Sequence, residues 1–251
     1  MEPILMRSLL VAESLLTFVG PVFCAFGGPI YMLVALPFQN QGRPEIAYRN
    51  PYHLNIEQSE PVFDIALEDV YKRQILSNQS IELVFNDTQV NDAIGPQAAI
   101  QAYCSRQLDV IVGFAYVYAL APVARLAPLW QRGVPVLTTI GQLSEFDNRT
   151  EYSTLTRVSG TYSGLATFME LDWVKRRKYQ TFAFFFHHLI DESNGRSECY
   201  FLMDAIRMRV VKKKNMHNLH DYVKFNENSL RDLERIPDLI KAASKKANGK
   251  C

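Results

Sequence analysis

The stretch PIYMLVALPF, Pro29–Phe38, is a continuous apolar run. Such a run, without polar alternation, predicts a strand that is buried on both faces, as in a parallel sheet. Towards the C-terminus, further short strands are predicted at Ile81–Phe85, Val110–Gly113 and Val134–Thr138, with a helical pattern between each pair. This βαβαβαβ alternation predicts an α/β fold with a doubly wound, mostly parallel sheet.

Three helices are predicted between these strands. The first begins at Pro61, because proline suits the first turn of a helix. Its apolar stripe is predicted to be Val62, Ile65, Ala66 and Val70. The other two helices are predicted at Gly95–Gln107 and Ala119–Trp130.

A second alternating set follows the first. Its helix Tyr162–Arg176 is predicted to pack through Leu165, Phe168, Met169 and Val174. The remaining elements are predicted at Thr181–Phe186, Arg196–Val211, Tyr222–Phe225 and Leu230–Ala247. Because the set stops on a helix where a strand is expected, we expect residues 28–158 to form one lobe and residues 159–251 an incomplete second lobe, marginal in isolation.

The N-terminus has the pattern of a targeting segment. Arg7 precedes the apolar run Ser8–Phe23, and small residues follow it. This pattern predicts a secretory signal peptide over residues 1–27, since the run is shorter than the roughly 20 residues of a membrane span. A buried N-terminal helix is the alternative. Three Asn-x-Ser/Thr sequons for N-glycosylation, at Asn78, Asn86 and Asn148, agree with the predicted export of the chain.

Composition and motifs argue against several functions. The formal net charge of +1 leaves no bulk charge for binding nucleic acid. The sequence has no GxGxxG after the first strand, no phosphate-binding GxxxxGK[ST] and no GxSxG nucleophile motif. CxxC and HExxH metal motifs are absent as well. We therefore predict neither a catalytic site nor a metal or other cofactor, and expect a ligand between two lobes.

The chain has four cysteines, Cys24, Cys104, Cys199 and Cys251. If Cys24 leaves with the signal peptide, an odd number remains, so a thiol is free, pairs between chains or lacks its partner. Cys104 follows Ile100 at helical spacing, which places it on an apolar stripe. We expect Cys104 to be buried, reduced and unpaired.

Five segments carry a family resemblance. They are PVFDIALE (Pro61–Glu68), FNDT (Phe85–Thr88), ALAPVARLA (Ala119–Ala127), EYSTLTRV (Glu151–Val158) and CYFLMDA (Cys199–Ala205). Together they resemble the ligand-binding region of receptors with type I periplasmic-binding-protein architecture. The last two resemble the natriuretic peptide receptor branch, which comprises receptor guanylate cyclases and the clearance receptor.

The resemblance implies a function. Members of this branch are single-pass receptors at the extracellular face of the plasma membrane, and their ectodomains pair around one peptide hormone. They signal through cyclic GMP or clear the peptide. It implies a homodimeric peptide-binding region without a catalytic domain, whose membrane attachment lies in segments outside this chain. A small-molecule module of the same fold, for an amino acid for example, and a secreted decoy fragment remain alternatives.

The resemblance also assigns residues. Tyr118 and Arg125 are seven positions apart on one predicted helix, so we expect them to share a surface with Tyr152. It makes Cys199 half of a disulfide in the second lobe, for which Cys251 is the sole candidate here. The family's first disulfide has no cysteines here, since Val90 and Tyr116 occupy those positions; halide binding, which the family places there, is in doubt. The ligand-contact residues that it implies are Tyr118, Arg125, Tyr152, Phe186, His187, Tyr200 and Asp204.

Overall fold

The computed structural model describes residues 28–39, 49–77, 80–179, 182–187, 195–211, 222–226 and 229–246. The expected signal peptide, residues 1–27, lies outside these ranges. Asn78 and Cys251 also lie outside the described residues.

Strands and helices alternate along the described chain. The helix Tyr162–Met169 continues as a π-helical segment, Glu170–Arg176. Short 3₁₀ turns occur at Ala127–Leu129 and Ser144–Asp147. In chain order the elements are β1 Ile30–Leu36, α1 Ile56–Lys72, β2 Ile81–Asp87, α2 Ile94–Cys104, β3 Val110–Gly113, α3 Val117–Leu126, β4 Val136–Thr138, β5 Leu155–Arg157, α4 Tyr162–Met169, β6 Phe184–His187, α5 Glu198–Val211, β7 Tyr222–Phe225 and α6 Leu230–Lys246.

The strands β1 to β5 form one parallel sheet in the order β2-β1-β3-β4-β5. The chain leaves β1 on one side to form β2 and returns on the other side to form β3. This reversal is the topological switch point at which parallel α/β sheets bind ligands. The predicted parallel α/β fold is therefore confirmed. β5 was not among the predicted strands. It has three residues, of which only Leu155 is buried, and this is too short for an apolar run or an alternation to be recognised.

The core lies around the stretch that opened the sequence analysis. Leu33, Val34 and Ala35 of β1 are wholly buried, as a strand covered on both faces must be. On α3, Leu120 and Val123 are also wholly buried, so this helix covers the sheet. With β1 to β5, the helices α1 to α3 make up what we call the first layer.

The helix α1 begins at Ile56, earlier than the predicted start at Pro61. The side chain of Asn55 accepts a hydrogen bond from the Gln58 amide at 2.9 Å and so caps the helix. The predicted apolar stripe is wrong in part, because Val62 and Ile65 are 65% and 68% exposed, although Val70 is half-buried. The packed face carries Phe63 instead, whose ring lies 6.3 Å from that of Phe85 on β2.

The remaining elements, α4 to α6 with β6 and β7, make up the second layer. β6 and β7 are parallel, with Phe184 opposite Tyr222. The helices α4 and α5 pack together. Ala166, Phe184 and Ile206 form their shared core.

The predicted packing face of α4 is wrong in part. Leu165 and Phe168 are 41% and 63% exposed. The charged residue Glu170 is buried there instead, because Arg209 of α5 donates to its Oε2 at 2.8 Å. Lys175 lies 3.7 Å from its other oxygen. Burial of a carboxylate requires such pairing, and the partner on α5 cannot be read from the local pattern of α4.

Candidate functional site

Residues that follow the strand ends of the first layer contact the start of α4 and of α5. We call this region the junction and define it by Tyr52, Tyr116, Tyr118, Gln142 and Tyr162 together with residues 195–201. It lies at the carboxyl ends of parallel strands, where α/β proteins place their binding residues.

Tyr118 joins the two layers. Its hydroxyl accepts a hydrogen bond from the backbone N–H of Arg196 at 3.0 Å. Its ring lies 5.4 Å from the Tyr116 ring and 6.5 Å from the Phe201 ring of α5. Gly195 packs against this ring so closely that a Cβ there would lie 2.5 Å from the Tyr118 hydroxyl oxygen. A glycine is therefore required at position 195 for this contact to form.

The series of aromatic rings continues into the second layer. Tyr200 lies 5.8 Å from Phe201 on one side and 5.8 Å from Phe186 on the other. The Arg196 guanidinium lies 4.5 Å from the centre of the Tyr200 ring, and the Lys224 ammonium 5.8 Å. Such cation–π contacts are electrostatically attractive.

A hydrogen-bonded chain forms the second contact between the layers. The Tyr52 hydroxyl lies 3.3 Å from the Tyr162 hydroxyl and 3.2 Å from Oε1 of Gln142. Tyr162 donates to Oε2 of Glu198 at 2.6 Å. Burial raises the pKa of the Glu198 carboxyl, and the hydrogen bond from Tyr162 opposes this only in part. Burial raises the pKa of the Tyr162 hydroxyl, and the nearby Glu198 carboxylate raises it further by a smaller amount.

Arg49 connects Val90 and Tyr116, the two positions at which the resemblance would place the family's first disulfide. Its Nη1 donates to the Val90 carbonyl at 3.4 Å. Its guanidinium carbon lies 5.4 Å from the centre of the Tyr116 ring. Val90 and Tyr116 are both buried. Noncovalent contacts of one cation thus link these two loops.

The C-terminal end of α3 carries a different group, which we call the α3 surface cluster: Arg125, Asn148, Glu151 and Tyr152. Arg125 Nε donates to Oε1 of Glu151, and its guanidinium carbon lies 5.3 Å from the Tyr152 ring centre. The hydrogen bond with Glu151 raises the pKa of Arg125 and lowers that of Glu151. The Tyr152 side chain is 2% exposed and packs on Phe146, with ring centres 4.8 Å apart.

The seven predicted contact residues therefore occupy different surroundings. Arg125 and Tyr152 touch, as expected, whereas Tyr118 contacts the second layer. Phe186 and His187 are buried at the end of β6. Tyr200 and Asp204 are half-buried on α5, and Asp204 accepts from Arg207 Nη2 at 2.8 Å.

The described cysteines, Cys104 and Cys199, are free thiols. Cys104 is unpaired, as predicted, but the prediction that it is buried is wrong, since it is exposed. The reason is that Ile100, which defined the stripe, is itself 42% exposed. The helix α2 packs instead through small residues such as Ala98 and Ala99.

Two of the predicted sequons lie in described residues. Asn148 and Thr150 are exposed, and the Thr150 hydroxyl donates to Oδ1 of Asn148 at 2.8 Å. Asn86 is half-buried in β2, and Thr88 is 2% exposed.

Sequence reasoning missed Tyr52, Tyr162, Arg196 and Glu198. The sequence pattern places Tyr162 only in the helix predicted at Tyr162–Arg176, and Arg196 and Glu198 only in the helix predicted at Arg196–Val211. One feature could have drawn attention to the last two, since they begin the predicted helix that follows an aromatic strand. Within the described ranges, no group of His, Cys, Asp and Glu could hold a metal ion. No helix among the same residues is long and apolar enough to cross a membrane.

A parallel α/β layer joined at its strand ends to a second parallel layer is the architecture of the type I periplasmic-binding-protein-like fold. A substrate-binding protein of an ABC transporter from Desulfitobacterium hafniense aligns with a TM-score of 0.58 and 16% identity, over 85% of this chain and 55% of that protein. This similarity shows the fold.

The family follows from sequence. Residues 58–242 match the model described as receptor family ligand binding region, so the chain belongs to this family. Receptor-type guanylate cyclase gcy-28 of Caenorhabditis elegans is 31% identical in an alignment of 215 positions that covers 74% of this chain and 16% of that receptor. Atrial natriuretic peptide receptor 3 of Rattus norvegicus is 29% identical over 145 residues, 55% of this chain and 24% of the receptor. The part that matches this chain thus makes up less than a quarter of the length of either relative.

Proposed function

We propose that this chain is the extracellular ligand-binding region of a hormone receptor and that two copies hold one peptide between them. The observation that carries the proposal is its membership of the receptor ligand-binding family, with relatives named as a guanylate cyclase and a natriuretic peptide receptor. The full receptor would signal through cyclic GMP or clear the peptide. Residues 1–27 would direct export, and residues 28–158 and 159–251 would belong to successive lobes.

The α3 surface cluster supports a peptide contact. The Arg125 side chain is 52% exposed, while Glu151 and the Tyr152 ring hold its guanidinium in place. A cation that is already oriented loses less conformational entropy when it binds a peptide carbonyl or carboxylate. Arg125 is thus the direct contact, and the buried Tyr152 supports it from below.

The other assigned residues contribute at the junction. Tyr118 and Tyr200 present partly exposed rings, which offer a peptide broad amphipathic contact area. Asp204 supplies a carboxylate nearby on α5. Phe186 and His187 are buried and support Tyr200 rather than touch the ligand.

The test measures binding of fluorescent atrial natriuretic peptide to the full chain by anisotropy, with light scattering to follow the oligomeric state. We expect binding together with dimer formation. Arg125→Ala should weaken binding by about 30-fold, the effect of losing a central arginine worth roughly 2 kcal/mol. Arg132→Ala, at another exposed arginine, is the matched control and should leave binding unchanged.

Two outcomes would overturn the proposal. One is absence of peptide binding by the unaltered chain. The other is a rise in melting temperature with free amino acids and none with the peptide, which would assign the chain to the small-molecule class.

A further inference from the structure

Asn148 and Arg125 share one carboxylate. Nδ2 of Asn148 donates to Oε2 of Glu151 at 3.3 Å, and Arg125 Nε donates to Oε1 of the same side chain. Only the Glu151 carboxylate therefore separates Nδ2 of Asn148, and any group attached to it, from the Arg125 guanidinium. Asn148 is the acceptor position of an Asn-Arg-Thr sequon.

The local backbone presents this sequon outward. Asn148, Arg149 and Thr150 are all exposed. Oδ1 of Asn148 accepts from the Thr150 amide at 3.2 Å as well as from its hydroxyl, so the turn engages the oxygen of the side-chain amide. Nδ2 lies towards Glu151 and the surface. The half-buried Asn86 in the edge strand β2 lacks this exposure.

We propose that Asn148 carries an N-linked glycan and that this glycan covers Arg125, so that glycosylation controls access to the α3 surface cluster. The inference rests on the proposed function, because glycosylation requires export. Nδ2 attacks the anomeric carbon of an oligosaccharide linked to a polyprenyl pyrophosphate. The N–C bond forms, the C–O bond to pyrophosphate breaks, the lipid pyrophosphate leaves, and the amide nitrogen loses one proton.

The linkage retains one amide hydrogen on Nδ2, which can still donate to Glu151. The Asn148–Glu151–Arg125 arrangement is therefore compatible with the modification. The sugar, which is bulky and hydrated, then lies over the exposed edge of the guanidinium. The buried Tyr152 ring covers the other side, so both a small arginine reagent and a peptide ligand lose part of their approach to Arg125, whereas water does not.

The experiment uses the full chain secreted from glycosylating cells in two forms. Thr150→Ala removes the sequon, and Thr150→Ser retains it. Glycopeptide mass spectrometry reports occupancy at Asn148. Phenylglyoxal, an arginine reagent, is the probe of Arg125, with exposed Arg132 as the internal reference. We expect a glycan at Asn148 of Thr150→Ser, and several-fold slower modification of Arg125, relative to Arg132, than in Thr150→Ala.

An unoccupied Asn148 in the secreted Thr150→Ser protein would overturn the inference, as would equal reactivity of Arg125 in the two forms. Asn148→Gln, which removes the acceptor and leaves Thr150, must reproduce the fast reaction of Thr150→Ala. Atrial natriuretic peptide separates this inference from the proposed function. If it binds neither form, the proposed function fails, whereas the arginine reactivity still decides whether the glycan covers Arg125.

Discussion

Tyr118 and Arg125 lie on one helix, yet the two ends of α3 are held in different ways. Tyr118 bonds to the backbone of Arg196 in the second layer, so its position depends on how the two layers meet. Arg125 pairs with Glu151 and lies over Tyr152, all within the first layer. Changes at the first end should alter how the layers join, whereas changes at the second should alter the stability or the surface of one layer.

The largest effect is expected beneath Arg125. Tyr152→Ala removes a ring that is 2% exposed and packs at a tilt against Phe146. The free energy of unfolding should fall by about 3–5 kcal/mol, as for other buried aromatic truncations. Urea denaturation measures this change. Tyr152→Phe, which keeps the ring, is the control and should lose much less; equal losses would contradict the packing role.

The next effect is expected at the junction. Gly195 has φ +71° and no room for a Cβ beside Tyr118. Gly195→Ala should destabilise the contact by roughly 1–3 kcal/mol, the range for a strained backbone residue. Thermal melting measures this loss of stability. In the double variant with Tyr118→Ala, the share of the loss that comes from the clash with the Tyr118 ring should disappear.

Gly160→Ala is the matched control for this change, because a Cβ at Gly160 meets nothing within 4 Å. It should be neutral or stabilising by up to about 1 kcal/mol. If Gly195→Ala melts at the same temperature as Gly160→Ala, Tyr118 does not hold the layers together as described.

A smaller effect concerns pH. Since burial raises the pKa of Glu198, the folded chain binds a proton more readily than the unfolded chain. The contribution of Glu198 is therefore full below its ordinary pKa of about 4.3 and is lost as pH rises through the folded value. Glu198→Gln should become more stable relative to the unaltered chain across this window. Melting curves from pH 4 upwards check it; a difference that does not vary with pH would refute the assignment.

The smallest effect on stability is expected for Arg125→Ala. An exposed ion pair contributes little, because solvent screens it and both side chains lose freedom. The melting temperature should therefore hardly change, even though the proposed function requires a large loss of binding. A decrease as large as that of Tyr152→Ala would show that Arg125 is structural and not a surface contact.

Much of the fold was predictable from the chain alone. The apolar run Pro29–Phe38 became β1, and the alternation after it became the parallel sheet. The helix α1 begins before Pro61 because Asn55 caps it there, and its packed face was mispredicted because Phe63, not Val62, meets Phe85 of β2. The strand β5 escaped notice because three residues form no pattern.

The candidate site was less accessible to the same reasoning. Arg125 and Tyr152 could be named from the motifs that carry them, and the structure brings them together. The link from Tyr162 to Glu198 could not, because it joins residues 36 positions apart through side-chain hydroxyl and carboxylate atoms. No periodicity in either segment marks such a contact.

The sequence by itself determined the class of fold, the order of the strands along the chain and the family, since all three depend on local apolar runs and short motifs. Tertiary structure alone decided which faces are buried. Glu170 is buried because Arg209 reaches it from another helix, whereas Cys104 is exposed although its spacing suggested burial. Burial is a property of the packed neighbours, and the energy of a charged or polar side chain depends on partners that only the folded chain brings within hydrogen-bonding distance.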